Sequence, residues 1–261
     1  MNIAQKFERA QTEGRLALIP FITAGFPDRE LFWRHLAEID ASGADLIEIG
    51  VPFSDPVADG PVIEKASREA LTRGVTLPWL LAGLKERRGQ FRAALLLMGY
   101  TNPFLQYGYA ALAGAAVEAG ISGFIVPDLP LEEAAAFRRI LSSAGLDLIS
   151  LVGLNTTLER MHAYAAESTG FIYIVSTLGI TGGTNRHLEL VADTMRRARR
   201  AFRLPLALGF GLRTPDQLDA LPEDARPDAA VFGSALIRHI EEGGRAAEFF
   251  RPWMEDRQLR S

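Results

Sequence analysis

No cysteine occurs anywhere in the 261 residues. That absence excludes disulfides, thiolate metal sites and a cysteine nucleophile. Lysine is almost missing as well: of 28 basic side chains, only Lys6, Lys65 and Lys85 are lysines and the rest are arginines. Histidine is confined to positions 35, 162, 187 and 239. No apolar run approaches the roughly 18 residues of a membrane-spanning helix. The opening stretch MNIAQKFERAQTE is too polar for a secretory signal. A soluble cytoplasmic protein is therefore expected. A net charge of −4 gives no electrostatic reason to expect nucleic acid or an anionic membrane as partner.

What is present is apolar material in a regular rhythm, 48% of the chain. Short apolar runs at Leu16–Thr23, Leu46–Ile49, Ala93–Met98, Gly123–Val126, Asp147–Val152, Phe171–Val175, Pro205–Leu208 and Ala229–Val231 read as strands. Most lack polar alternation, as parallel strands covered on both faces do. Between them lie amphipathic helical patterns such as Arg29–Ala41, Leu131–Ala144, Leu158–Glu167, His187–Phe202 and Gly233–Glu242. Eight strands alternating with helices predict an α/β fold, a single (β/α)8 TIM barrel spanning residues 1–261. Extra terminal helices are predicted at Asn2–Thr12 and Arg245–Arg257. A doubly wound sheet is the competing layout, and no GxGxxG follows the first strand to support it.

Such a barrel carries its active site at the carboxyl ends of the strands. The three lysines fall in helical patterns, which argues against a Schiff base. The histidines lie within or at the start of helices, which leaves no source for a histidine metal triad. Oxygen chemistry remains, from Glu48, Asp55, Asp59, Asp128 and Tyr173. Glu48 ends the apolar run Leu46–Ile49, where an unpaired carboxylate is costly and a functional acid/base is common. An ion-paired structural glutamate is the other reading. The proline-rich segment VPFSDPVADGP at 51–61 would carry Asp59 back over the barrel mouth. Asp59 then reads equally as a second working carboxylate or as a turn and cap residue before a helix. Asp128 in Val126-Pro127-Asp128 reads as either turn or catalyst.

Glycine clusters at 179–183 and 209–211, with Gly233-Ser234, follow the sixth, seventh and eighth strands. Loops there, with a helix N-terminus, form the recurrent phosphate site of this fold. Phe21, Ile63, Met98, Tyr100, Tyr173 and Phe210 lie at or just past strand ends, where they could sandwich a flat apolar ring. For Ile63 and Met98, plain capping of the barrel explains the position as well.

The segment IEIGVPFSDPVADGPVI (47–63) resembles the signature of the tryptophan synthase α-subunit family. The likeness continues at FITAGFPD (21–28), MGYTNP (98–103), VPDLPLEE (126–133), the Ser176-to-Gly182 loop, GFG (209–211) and GSA (233–235). The resemblance implies a lyase that cleaves indole-3-glycerol phosphate to indole and glyceraldehyde 3-phosphate. It implies Glu48 as catalytic acid/base and Asp59 as a second carboxylate at the indole N–H. It assigns Phe21, Ile63, Tyr100, Tyr173 and Phe210, with Met98 as neighbour, to the substrate pocket. Gly182, Gly211, Gly233 and Ser234 become phosphate binders, and Thr181 the threonine of a lid that reaches Asp59. No cofactor is expected in this chain. The implied partner is a pyridoxal-phosphate β subunit in an αββα complex, met by exposed loop residues Pro52, Phe53, Asp55 and Phe104. The family's departures here are Glu64, where glutamine is usual, and Ser176-Thr177-Leu178, which lacks an arginine some members carry. Two other readings are a neighbouring phosphate-binding barrel and a non-catalytic activating subunit. The related indole-3-glycerol phosphate synthase relies on a strand-end lysine, which this chain lacks.

Overall fold

The computed structural model describes residues 2–176, 185–209 and 211–259. Among these, eight parallel strands close into one barrel in sequence order, with β1 against β8. They are β1 (Ala17–Thr23), β2 (Leu46–Gly50), β3 (Ala94–Met98), β4 (Ile121–Ile125), β5 (Asp147–Gly153), β6 (Ile172–Val175), β7 (Leu206–Gly209) and β8 (Ala229–Phe232). The helices are α1 (Ile3–Thr12), α2 (Arg29–Ala41), α3 (Pro61–Thr72), α4 (Leu77–Glu86), α5 (Thr101–Tyr107) and α6 (Tyr109–Ala119). After them come α7 (Ala135–Ser143), α8 (Leu158–Ala165), α9 (Asn185–Ala201), α10 (Ser234–Glu241) and α11 (Ala246–Leu259). The expected barrel is thus the observed one.

Local chemistry sets several boundaries. The Asp28 carboxylate accepts from the amides of Glu30 and Leu31 and starts α2. Asn2 and Gln5 form a reciprocal capping box on α1. The helix expected from Leu131 begins only at Ala135. Pro130 has no amide to donate, and its carbonyl is used by the amides of Glu133 and Ala134 in turns first. Strand β4 starts two residues earlier than expected, at Ile121, and its pairing with β3 shifts register between Leu95 and Leu96. Between β7 and β8 the described chain forms two 3₁₀ turns, Pro215–Leu218 and Glu223–Ala225, where a full helix would be the rule. Prolines 215, 222 and 227 deny that stretch the amides of a continuous helix.

Helix α1 plugs the amino-terminal mouth. Its Phe7 ring lies 5.5 Å from Phe171, just before β6, and its Ile3 sits against Gly123 in β4. At the other terminus, Trp253 of α11 stacks on Phe232 at the end of β8, with centroids 4.4 Å apart. The strand starts are tied by aspartates. Asp45, just before β2, accepts from the Leu18 amide at 3.0 Å and takes both nitrogens of the Arg15 fork at 3.0 Å. Asp228, just before β8, accepts from the Leu206 amide at 2.7 Å and from the Arg199 fork at 2.6 and 2.9 Å. Asp40 accepts from the amides of Arg92 and Ala93. Each carboxylate thus joins two elements that the barrel must bring together.

The Asp45 cleat is almost fully buried, with side-chain exposures of 6% for Asp45 and 11% for Arg15. Removing Asp45 orphans the buried Leu18 amide and leaves the Arg15 guanidinium only the partly exposed Glu13 as partner. Asp45→Ala is therefore expected to lower stability by about 3 kcal/mol, read as a lower urea midpoint at unchanged slope. A loss under about 0.5 kcal/mol would mean that water replaces the carboxylate without penalty.

Candidate active site

Strand pairing places Glu48 beside Phe21 on β1 and beside Leu96 on β3. The Glu48 side chain points into the barrel and is 1% exposed. Both of its oxygens are buried and neither has a hydrogen-bond partner. Burial, followed by the charge of Asp59, pushes its carboxyl up from 4.5 to about 8. Near neutral pH it is a neutral carboxylic acid, able to donate a proton.

Asp59 ends the loop between β2 and α3, one residue before the Gly60 cap and Pro61 at the first turn. Its Oδ1 is buried and unpartnered. Burial raises the Asp59 carboxyl to about 6, opposed by a hydrogen bond from the Tyr100 hydroxyl and assisted by the charge of Glu64. The two carboxyl groups line one cavity at the carboxyl ends of the strands. Phe21, Ile63, Met98 and Tyr173 form its apolar and aromatic walls, joined by Gly211, Gly233 and Ser234 at one rim. The Tyr173 phenol is pushed well above its ordinary range by burial, then by the charges of Glu48 and Asp59. It therefore stays protonated and keeps an O–H to donate.

Two glycines make room for Phe21. A Cβ on Gly50 would stand 2.4 Å from its ring, and one on Gly233 2.8 Å from its Cβ. A Cβ on Gly209 would meet the Tyr173 ring and hydroxyl at 2.6 Å. Gly209 and Gly233 thus admit aromatic walls, in addition to any part in phosphate loops. Gly211 has φ 102°, a conformation that favours glycine. Helix α10 begins at Ser234 with no side chain capping its first amides, so the N–H groups of its first turn are left without that partner.

Nine of the thirteen residues marked by the sequence thus meet at this cavity. Tyr100 stands behind it. Its hydroxyl accepts from the Ala58 amide at 3.1 Å and reaches Asp59, while its ring stacks on Phe53 at 5.4 Å. Thr181, Gly182 and Phe210 lie outside the described residues. Asp128 accepts from both the amide and the hydroxyl of Thr101 at 2.9 Å, so its carboxylate is committed to the start of α5. Phe53 and Asp55 reach the surface, but Pro52 and Phe104 do not. The exposure expected of Phe104 is a misreading. Gly99 leaves space for its ring, which packs edge-on against Phe124 at 5.4 Å. The apolar residues that do project there are Val57, 84% exposed, and Leu105, 58% exposed. The sequence reading passed over both, although an unpaired valine in a proline-rich loop was a signal. It also missed Val231, which lines the cavity from β8. Among the described residues no group of three or more His, Asp or Glu could hold a metal ion, and no helix is long and apolar enough to cross a membrane.

Between pH 4.5 and about 8, Glu48 holds a proton in the folded chain and not in the unfolded one. Native stability therefore falls as pH rises through that window, by up to about 1.4 kcal/mol per pH unit. Glu48→Gln removes this slope. Urea unfolding from pH 5 to 8 should show the parent losing stability relative to E48Q; a constant difference would mean that the carboxyl ionises inside the barrel as it does in water. Gly209→Ala should displace the Tyr173 ring and cost about 1–3 kcal/mol, visible as a lower melting temperature. An unshifted melting curve would show that the ring has room to yield.

The chain matches the family model of the tryptophan synthase alpha chain over residues 7–253. It is 61% identical to the tryptophan synthase alpha chain of Desulfovibrio desulfuricans over 254 residues, covering 97% of this chain and 100% of that one. It is 53% identical to that of Nitratidesulfovibrio vulgaris, covering 97% and 98%. Among solved structures it resembles tryptophan synthase subunit alpha from Legionella pneumophila, with a TM-score of 0.84 at 33% identity over 95% of this chain and 94% of that one. On this evidence the chain belongs to the tryptophan synthase alpha chain family, lyases that cleave indole-3-glycerol phosphate to indole and glyceraldehyde 3-phosphate.

Proposed function

We propose that Glu48 and Asp59 divide the proton chemistry of this cleavage between them. The observation that carries the reading is the Glu48 carboxyl, buried without a hydrogen-bond partner in a cavity shared with a second carboxyl group. Cleavage is a retro-aldol reaction. Glu48, protonated near neutral pH, gives its proton to C3 of the indole ring, leaving a cationic indolenine. Asp59 accepts a hydrogen bond from the ring N–H and stabilises the positive charge there. The Glu48 carboxylate so formed then takes the proton of the side-chain hydroxyl. The C–C bond breaks, its electron pair returns to the ring, and the aldehyde forms. Glu48 ends protonated, as it began. Proton transfer alone completes the balance, so no cofactor is assigned to this chain.

The walls suit the substrate. Phe21 and Tyr173, with Ile63 and Met98, offer apolar faces to a flat indole. Phe210 joins them in this reading. Tyr100 holds Asp59 in place from behind. The amides of Gly233 and Ser234 at the start of α10, with that of Gly211 after β7, suit the phosphate by their number and by the helix dipole. Gly182 would add to that cradle, and Thr181 would close over it towards Asp59. The whole of residues 1–261 would act as one barrel domain in the cytoplasm. The partner is a β subunit carrying pyridoxal phosphate, in an αββα assembly, and it would take the indole directly. Val57, in the same loop as Phe53 and Asp55, and Leu105, next to Phe104 in the chain, are exposed apolar residues suited to that contact.

Positioned acid/base groups contribute about 10²–10⁴-fold. Glu48→Gln should therefore lower indole release from indole-3-glycerol phosphate by at least about a hundredfold, with the circular dichroism of the fold unchanged. Asp59→Asn should follow in the same direction. A Glu48→Gln chain that kept its rate within about tenfold, only about 1.4 kcal/mol of barrier, would overturn the assignment.

A further inference from the structure

A cavity of about 460 Å³ lies on the opposite end of the barrel from Glu48. It opens between α1, the end of α9 and the starts of β7 and β8. Its floor is apolar, formed by Phe7, Leu16, Leu218 and Pro227. Four arginines line it: Arg15, Arg199, Arg203 and Arg226. Asp228 is the one acidic side chain in its lining.

The four arginines are not equivalent. Arg15 is neutralised by Asp45 and Glu13. Arg199 is taken up by both oxygens of Asp228 and by the carbonyl of Arg226. Asp228 in turn is saturated, since it also accepts from the Leu206 amide. Among the described residues, Arg203 and Arg226 have neither an ion pair nor a side-chain hydrogen bond, and both are exposed. Two uncompensated guanidiniums therefore face one cavity in a chain whose overall charge is −4. Arg9 and Arg196 on the same face, by contrast, have acidic partners in Glu13 and Asp224.

We propose that this cavity is a binding site for a phosphate monoester with an apolar body. Two guanidinium forks offer paired N–H donors to a dianionic head. The floor of Phe7, Leu16 and Leu218 receives a ring or short chain. The cavity has the size of small-molecule pockets, roughly 300–1,000 Å³. The site is separate from the phosphate cradle at α10 and does not depend on the catalytic reading. It lies beneath β7 and β8, the two strands whose far ends carry Gly209 and Gly233.

The test is a methyl NMR titration of the whole chain with phenyl phosphate, which reads both ends of the barrel at once. Leu16 and Leu218 report the proposed site, and Ile63 reports the catalytic cavity. Saturable shifts are expected at Leu16 and Leu218. In R203A/R226A those shifts should weaken at least tenfold while any shift at Ile63 persists. R203K/R226K, which keeps the charge but not the forks, should fall between the two. Benzoate, with the same ring and a single charge, should bind at least tenfold more weakly than phenyl phosphate. Shifts confined to Ile63, shifts at Leu16 and Leu218 that survive in R203A/R226A, or equal binding of benzoate would each overturn the proposal. Both arginines are exposed, so the variants should melt with the parent, and that comparison separates a lost site from a lost fold.

Discussion

A carboxyl group enclosed by apolar strands and denied any hydrogen-bond partner is the constraint around which this barrel is arranged. An isolated charge there is prohibitive, so Glu48 keeps its proton to about pH 8. That one displacement of an ordinary acid converts a structural liability into a proton donor at neutral pH. It also dictates the neighbours. Tyr173 cannot ionise beside it and remains a donor. Asp59, better supplied through Tyr100, titrates near 6 and is the group of the two that carries charge. The environments differ, and the two carboxyl groups are thereby sorted into an acid and an anion.

The two ends of the barrel treat carboxylates in opposite ways. At the strand starts, Asp40, Asp45 and Asp228 each accept from backbone amides, and the latter two also from arginine forks. Those bonds lock strand to strand and leave little free to react. At the strand ends, Glu48 and Asp59 retain buried oxygens with nothing to accept from. Stability is concentrated at one mouth and unsatisfied chemistry at the other. This is the division of labour expected of the fold, and here it can be followed bond by bond. Asp128 shows how fine the boundary is. It stands at a strand end, yet its carboxylate is used on Thr101 to start α5.

The barrel was readable because parallel strands buried on both faces leave unmistakable apolar runs. Glu48 was readable because a lone carboxylate in such a run has few explanations. Asp59 was not, since a residue before Gly60-Pro61 looks the same whether it caps a helix or works over a cavity. Only the orphaned Oδ1 and the hydroxyl of Tyr100 separate those readings. Phe104 was misjudged for a related reason. Its segment, Tyr100 to Tyr107, has the look of a surface loop, and the space that Gly99 opens for its ring is a tertiary fact. The reading of Gly209 and Gly233 as phosphate loops was incomplete in the same way, because the rings they admit come from the paired strands β6 and β1. Prolines explain the late start of α7 and the 3₁₀ turns before β8, and there the local signal was present but underweighted.

The scarcity of lysine and histidine fits the same physics. A barrel whose reactive groups are neutral or singly charged acids has no need of a buried cation, and placing one beside Glu48 would undo its displacement. An arginine or lysine near that carboxyl would pull it back below neutrality and remove the proton it must donate. Glu64 works against the sorting of the two acids, and the Tyr100 hydrogen bond to Asp59 opposes that effect. The negative charge of Glu64 opposes ionisation of Asp59, while its own carboxylate is held at the surface by Arg68. The cavity thus stays free of basic side chains among the residues that line it. Exclusion of cations from the cavity lining matters to Glu48 as much as the placement of the two acids.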